Sequence, residues 1–186
     1  EEIMSALNDV VKSGKARYIG ASAMFAWQFQ KAQFIAEKNG WTKFVSMQNH
    51  YNLLYREEER EMIPLCKDQK IALTPYSPLA GGRLTRDLTE TTLRGNTDEI
   101  ARMKYDGSLE QDKIRVKEIA EKYNVQRAEV ALSWLFKKDQ VVSPIIGATK
   151  FSHLETAVSA LNLKLSEEDI NYLEEVYVPH KVVGAI

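Results

Sequence analysis

The 186-residue sequence predicts an α/β fold of about four parallel strands with helical crossovers, half of a (β/α)8 barrel. Three observations carry that prediction. Short β-prone runs bounded by Gly, Pro or polar residues alternate with stretches of helical period. A repeated strand-then-helix order makes the strands parallel. Gly20-Ala21-Ser22, after the first strand, is a poor match to the glycine-rich turn that a doubly wound dinucleotide fold wants there. Periodicity alone leaves barrel and open sheet both standing, and the missing turn favours the barrel. A complete barrel needs eight units and about 250 residues, so four strands make half of one.

Taken in order, Ile3, Leu7, Val10 and Val11 recur at helical spacing, and a Gly stop follows at Gly14 after Lys12. Residues 16–21 read as the first strand, and 26–38 as a helix with a stripe of Phe29, Ala32 and Ile35 that ends at Asn39-Gly40. The unit repeats as a strand at 44–48 with a charged helix at 57–68. A third strand at 71–76 feeds a long stretch, 77–107, rich in Gly, Thr, Arg and Asp. So long a loop inside a domain is usually functional. Helices are predicted at 110–123 and 127–137, a fourth strand at 142–146, and further helices at 152–161 and 166–176. The whole chain, 1–186, reads as a single partial domain.

Composition narrows the partners. Lys+Arg 25 and Asp+Glu 26 nearly cancel, so nothing argues for nucleic acid or an anionic membrane, and a small neutral or anionic ligand is expected. No run approaches the ~18 apolar residues of a transmembrane helix. The single Cys66 cannot form an internal disulfide, which suits a reducing, cytoplasmic setting, and its neighbours suggest the buried side of a helix. Because Glu1 opens in mid-pattern without Met and without a signal-peptide pattern, further chain upstream is expected.

Four segments point to a family. They are Gly14-Lys15-Ala16-Arg17-Tyr18-Ile19-Gly20-Ala21-Ser22, Met47-Gln48-Asn49-His50-Tyr51-Asn52-Leu53, Thr74-Pro75-Tyr76-Ser77-Pro78-Leu79-Ala80-Gly81-Gly82-Arg83-Leu84, and Pro144-Ile145-Ile146-Gly147-Ala148-Thr149-Lys150. In this order and spacing they resemble the aldo-keto reductases, especially the branch with the potassium-channel β subunits and similar bacterial enzymes. The resemblance implies the C-terminal half of a (β/α)8 TIM barrel. It also implies an NADPH-dependent oxidoreductase that reduces aldehydes or ketones to alcohols. The family's catalytic Asp, Tyr, Lys and His would lie upstream, so no catalytic residue is assigned here and the chain by itself is expected to be inactive. A cofactor-sensing or partner-binding subunit of the same fold is the alternative.

The resemblance carries specific residues onto an NADPH site. Ser22 and Gln48 match residues that hydrogen-bond the nicotinamide carboxamide, which needs both a donor and an acceptor. The family often has Asn where Ala23 stands. Tyr76 matches the aromatic that stacks on the nicotinamide, for which a flat apolar ring is suited. Ser77, Pro78, Leu79 and Gly81 belong to a loop resembling the pyrophosphate site, where small residues let backbone N–H groups approach phosphate. Gly147, Thr149, Lys150 and His153 match the 2′-phosphate neighbourhood at a helix start, and Arg94 and Arg83, with Arg86 beside them, supply guanidinium forks. Thr156 and Ala157 depart from the acidic residue and Asn common near the adenine. No metal site is expected.

His50 and Tyr51 form a tempting acid pair, yet neighbours on an extended segment point opposite ways, and the resemblance gives them packing or substrate-pocket roles. Trp27, Trp41 and Trp134 read as core or helix-packing aromatics. His180 lies in the tail that can wall the substrate pocket in this family. The partner expected is a small carbonyl compound, with self-association to cover the open strand edges.

Overall fold

The computed structural model of the chain describes residues 1–86, 104–105 and 110–182. Three strands, β1 (Ile19–Ser22), β2 (Phe44–Gln48) and β3 (Ala72–Leu73), form a parallel sheet in the order β1-β2-β3. Ser22 pairs with Gln48 and Met47 with Leu73, so the C-terminal ends of the strands lie together. At Gly20 a Cβ would come within 2.4 Å of the Ser46 hydroxyl, so a side chain there would require Ser46 to shift.

The predicted fourth strand at 142–146 is corrected to a looser element. Single parallel bridges join Leu73 to Val141 and Tyr76 to Ile145. Backbone hydrogen bonds from Leu73 N to Gln140 O, Val142 N to Leu73 O and Ile145 N to Pro75 O fix it beside β3. Proline explains the interruptions: Pro75 and Pro144 have no N–H to add to a ladder. The segment still occupies the fourth sheet position in the predicted direction.

Seven α-helices are described: α1 (Glu2–Lys12), α2 (Ala26–Lys38), α3 (Met62–Asp68), α4 (Glu110–Tyr123), α5 (Arg127–Phe136), α6 (Phe151–Ser159) and α7 (Glu167–Glu174). The single predicted helix at 57–68 is divided into a 3-10 turn, Glu57–Glu59, and α3. Pro64 sits in the first turn of α3, where its ring would clash with the carbonyl of residue 60 in a continuous helix. α2 buries Phe29, Gln33 and Ala36, and the Gln33 amide brackets the start of β2 by donating to Phe44 O at 3.0 Å and accepting from Phe44 N at 2.9 Å. Trp27 stands about 200° around that helix from Phe29 and is 62% exposed, which corrects its reading as a core residue. Trp134 is fully buried, and Cys66 faces the core as expected.

α7 opens on a reciprocal cap in which Ser166 Oγ accepts from Asp169 N and Asp169 Oδ2 accepts from Ser166 N. Lys122 and Tyr123 each donate to the Asp169 carboxylate at 2.6 Å, tying α4 to α7. The core runs through Phe29, Met47, Leu73, Val116 and Trp134. Large apolar side chains remain exposed, among them Ile3, Tyr18 and Phe34 in the first 40 residues and Val142, Phe151, Leu154 and Val158 in the fourth segment and α6. No helix among the described residues is long and apolar enough to cross a membrane.

Candidate functional site at the C-terminal strand ends

Parallel register brings the predicted residues to one end of the sheet. Ser22 and Gln48 face each other across β1 and β2, His50 bridges Tyr76, Tyr76 bridges Ile145, and Gly147 follows two residues later. The Ser22 hydroxyl donates to Gln48 O at 3.0 Å, which leaves its oxygen lone pairs as acceptors. Ala23 adopts φ +46 and donates its N–H to the same carbonyl. Asn enters the left-handed region more readily than Ala, so an Asn at this position has a backbone reason.

The turn after Tyr76 is conformationally unusual. Ser77 has φ +53, and Ala80, Gly81 and Gly82 follow with φ +51, +64 and +87. A non-glycine residue held there costs roughly 1–3 kcal/mol, which the surrounding structure must offset at Ser77 and Ala80. Turn hydrogen bonds consume the N–H groups of Ala80, Gly82 and Arg83, while those of Leu79 and Gly81 take no part in them. Pro78 has none to give. A Cβ on Gly82 would meet the Arg86 guanidinium at 2.9 Å.

The cations divide into two sets. Arg86 is folded back on its own turn, donating to Gly82 O at 2.9 Å and Gly81 O at 2.8 Å. Arg83 lies 5.1 Å from the Tyr105 ring centroid. Lys150 precedes α6 and is exposed with Gly147 and Thr149, and a Cβ on Gly147 would meet nothing within 4 Å. His153 Nδ1 accepts from Thr149 N at 3.4 Å, so that backbone donor has a partner of its own. Thr156 turns its hydroxyl to Ser152 O within the helix. Arg94 lies outside the described residues. Among the described residues no cluster of His, Cys, Asp and Glu could hold a metal ion.

Beneath Tyr76 sits a group whose scale the sequence did not reveal. His50, 2% exposed, is stacked between Tyr55 at 4.3 Å and Tyr76 at 5.1 Å. Asn52 Nδ2 donates to Ser77 O at 2.8 Å and to the Tyr105 hydroxyl at 3.1 Å. The Tyr105 hydroxyl, which accepts from Asn52, also shares a hydrogen bond with His50 Nε2 at 2.7 Å. Burial first, and the Lys104 charge second, lower the His50 pKa to about 3. The periodicity of Asn49-His50-Tyr51-Asn52 foretold the alternation but not that Tyr105, 55 positions later, returns to it.

Tyr51 points the other way. Its hydroxyl donates to Glu59 Oε1 at 2.6 Å and its ring packs on Trp134 at 5.2 Å. Arg56 connects this layer to α7: its guanidinium pairs with Glu59 at 2.8 Å and Glu174 at 3.0 Å. The tail is pinned nearby, where Glu57 Oε1 accepts from the Tyr177 hydroxyl and from His180 N, both at 2.7 Å. The His180 ring lies 6.4 Å from Tyr55, extending the row Tyr76, His50, Tyr55 to the tail.

Comparison with known proteins agrees with this layout. The model of the aldo/keto reductase family matches residues 1–178. The chain is 52% identical, over its whole length and 53% of the relative, to a Schizosaccharomyces pombe protein that carries the name of an aryl-alcohol dehydrogenase. Versiconal hemiacetal acetate reductase of Aspergillus parasiticus is 50% identical, over 98% of this chain and 54% of its own. Among solved structures, a thermostable aldo-keto reductase in complex with the inhibitor epalrestat superposes with a TM-score of 0.68 at 26% identity, covering 92% of this chain and 53% of that one. The chain thus spans about half the length of the curated relatives it matches. Both of those relatives are fungal, and neither carries the name of a channel β subunit.

Proposed function

The chain belongs to the aldo/keto reductase family, and from that premise we propose that its strand ends hold the nicotinamide cofactor of a carbonyl reductase. The observation that carries the reading is the shared register of Ser22, Gln48, Tyr76 and Ile145 at one end of the sheet, where a barrel gathers its chemistry. The donor set fits the group. Ser22 offers acceptor lone pairs and Gln48 an amide with both functions, which suits a carboxamide. Tyr76 offers a ring, and the left-handed turn from Ser77 to Gly82 keeps the Leu79 and Gly81 N–H groups out of its own turn hydrogen bonds.

A bound nicotinamide would supply the hydride for reducing an aldehyde or ketone. This chain's residues bind and orient: Ser22 and Gln48 set the carboxamide, Tyr76 supports one face of the ring, and the Ser77–Gly82 turn receives the pyrophosphate. Lys150 and Thr149, exposed just before α6, suit a 2′-phosphate and so favour NADPH over NADH. The proton donor for the carbonyl oxygen belongs to the Tyr, Lys, Asp and His that the family carries upstream.

Titration of the chain with NADPH, followed by quenching of Trp fluorescence, tests the reading. Saturable quenching supports it. Lys150→Ala is expected to weaken NADPH roughly tenfold or more while changing NADH little, since a charge-assisted contact is worth roughly 1.5–3 kcal/mol. Equal losses for both cofactors would remove Lys150 from the 2′-phosphate.

A further inference from the structure

Tyr76 has a second neighbour besides His50. The Lys104 ammonium lies 4.7 Å from the Tyr76 ring centroid and donates to its hydroxyl at 3.2 Å. We infer that Lys104 makes this site discriminate between the redox states of a nicotinamide cofactor, favouring the neutral reduced ring over the cationic oxidised one. The inference rests on the reading that the nicotinamide stacks on Tyr76.

Stacked aromatic centroids can approach to about 4.5 Å. A ring at that distance from Tyr76 lies within about 9 Å of the ammonium, whichever face it uses. The oxidised nicotinamide carries a unit positive charge spread over its ring, and the reduced one carries none. Two like charges at about 9 Å, at an effective dielectric near 20, repel by the equivalent of roughly tenfold or more in affinity. Screening at physiological salt reduces this to about threefold.

A ring already stacked on Tyr76 sits in the same field. The His50 imidazole lies 5.1 Å from Tyr76, and after burial the Lys104 charge is what disfavours its cationic form. An oxidised nicotinamide would also draw attraction from the Tyr76 π-cloud. Here the Lys104 ammonium already engages that cloud, so the attraction offsets less of the repulsion.

The test titrates the chain separately with NADPH and NADP+, following Trp fluorescence, for the unsubstituted protein, Lys104→Met and Lys104→Arg. Lys104→Met should tighten NADP+ about threefold relative to NADPH, and Lys104→Arg should keep the original ratio. An unchanged ratio in Lys104→Met would overturn the inference while leaving the cofactor reading intact. Equal weakening of both cofactors would place Lys104 on the phosphates and overturn it as well. Failure of both cofactors to bind the unsubstituted chain would overturn the cofactor reading, and this inference with it.

Discussion

The imidazole of His50 lies parallel to the phenol ring of Tyr76, centroids 5.1 Å apart and planes 14° apart, although the two follow different strands. The backbone joins them too, since Tyr76 N donates to Asn49 O at 2.9 Å. Beside His50, Asn49 donates weakly to the Glu58 carboxyl at 3.5 Å. His50 and Glu58 are both perturbed by burial, in directions that oppose each other in their effect on stability.

Burial, and then Lys104, take His50 from 6.5 down to about 3. Burial raises Glu58 from 4.5 to about 7; the Asn49 hydrogen bond opposes this and the Glu57 charge adds to it. Between pH 4.5 and 6.5 the unfolded chain protonates His50 and the folded chain does not, so stability falls on acidification. Over the same window the folded chain keeps the Glu58 proton that the unfolded chain has released, so stability rises on acidification. Each slope approaches about 1.4 kcal/mol per pH unit, and the two cancel. Urea unfolding at pH 4.5, 5.5 and 6.5 should therefore show Glu58→Gln losing stability toward acid and His50→Phe gaining it. Identical slopes in the two variants would refute the assignment.

Glu174 holds three elements at once. Its carboxylate takes the Arg56 guanidinium at 3.0 Å, Trp134 Nε1 at 2.7 Å and Lys138 Nζ at 2.5 Å. Arg56 is only 12% exposed in its side chain, so Glu174→Ala leaves a poorly solvated cation with Glu59 alone. We expect a loss of about 2–3 kcal/mol in urea unfolding. Adding Arg56→Met to that variant should restore at least half of it. No recovery would mean the stability came from packing and not from charge.

Ala23 offers a gain. At φ +46 an alanine carries strain that asparagine tolerates better. Ala23→Asn should raise stability by about 0.5–1 kcal/mol, readable as a higher urea midpoint at unchanged m-value. A loss of stability would show that the position is held by something other than its backbone angle.

How much of this was legible in the sequence depends on range. Strand-then-helix alternation gave the element order and the parallel sheet, because period and punctuation are local. The 57–68 helix was read through Pro64, whose clash with residue 60 acts across one turn. The fourth strand was read as regular because its apolar run is β-prone, although Pro75 and Pro144 remove ladder donors on both sides of the pairing. Gathering Ser22, Gln48 and Tyr76 at one end follows from parallel register, which the repeat implies. The union of His50, Asn52 and Tyr105 does not follow from any spacing, since it depends on where chain far from residue 50 returns. Trp27, expected as a core or helix-packing aromatic, departs for a simpler reason: the buried stripe of its helix runs through Phe29, Gln33 and Ala36.

Tyr51 is the strongest remaining candidate for a proton donor within this chain, and its surroundings argue against it. It is 1% exposed, and its hydroxyl proton is committed to Glu59 Oε1 at 2.6 Å. Burial, then the Glu59 charge and hydrogen bond, push its pKa well above the ordinary phenol range. A general acid serves best with a pKa near the working pH and within reach of the forming alkoxide. Tyr51 meets neither condition. The purified chain should therefore show no aldehyde-dependent oxidation of NADPH. Tyr51→Phe should act on stability alone, with a loss of about 1–3 kcal/mol from a buried carboxylate bond left unmade. NADPH oxidation that depends on aldehyde and disappears in Tyr51→Phe, with folding intact, would instead put the catalytic acid at this position.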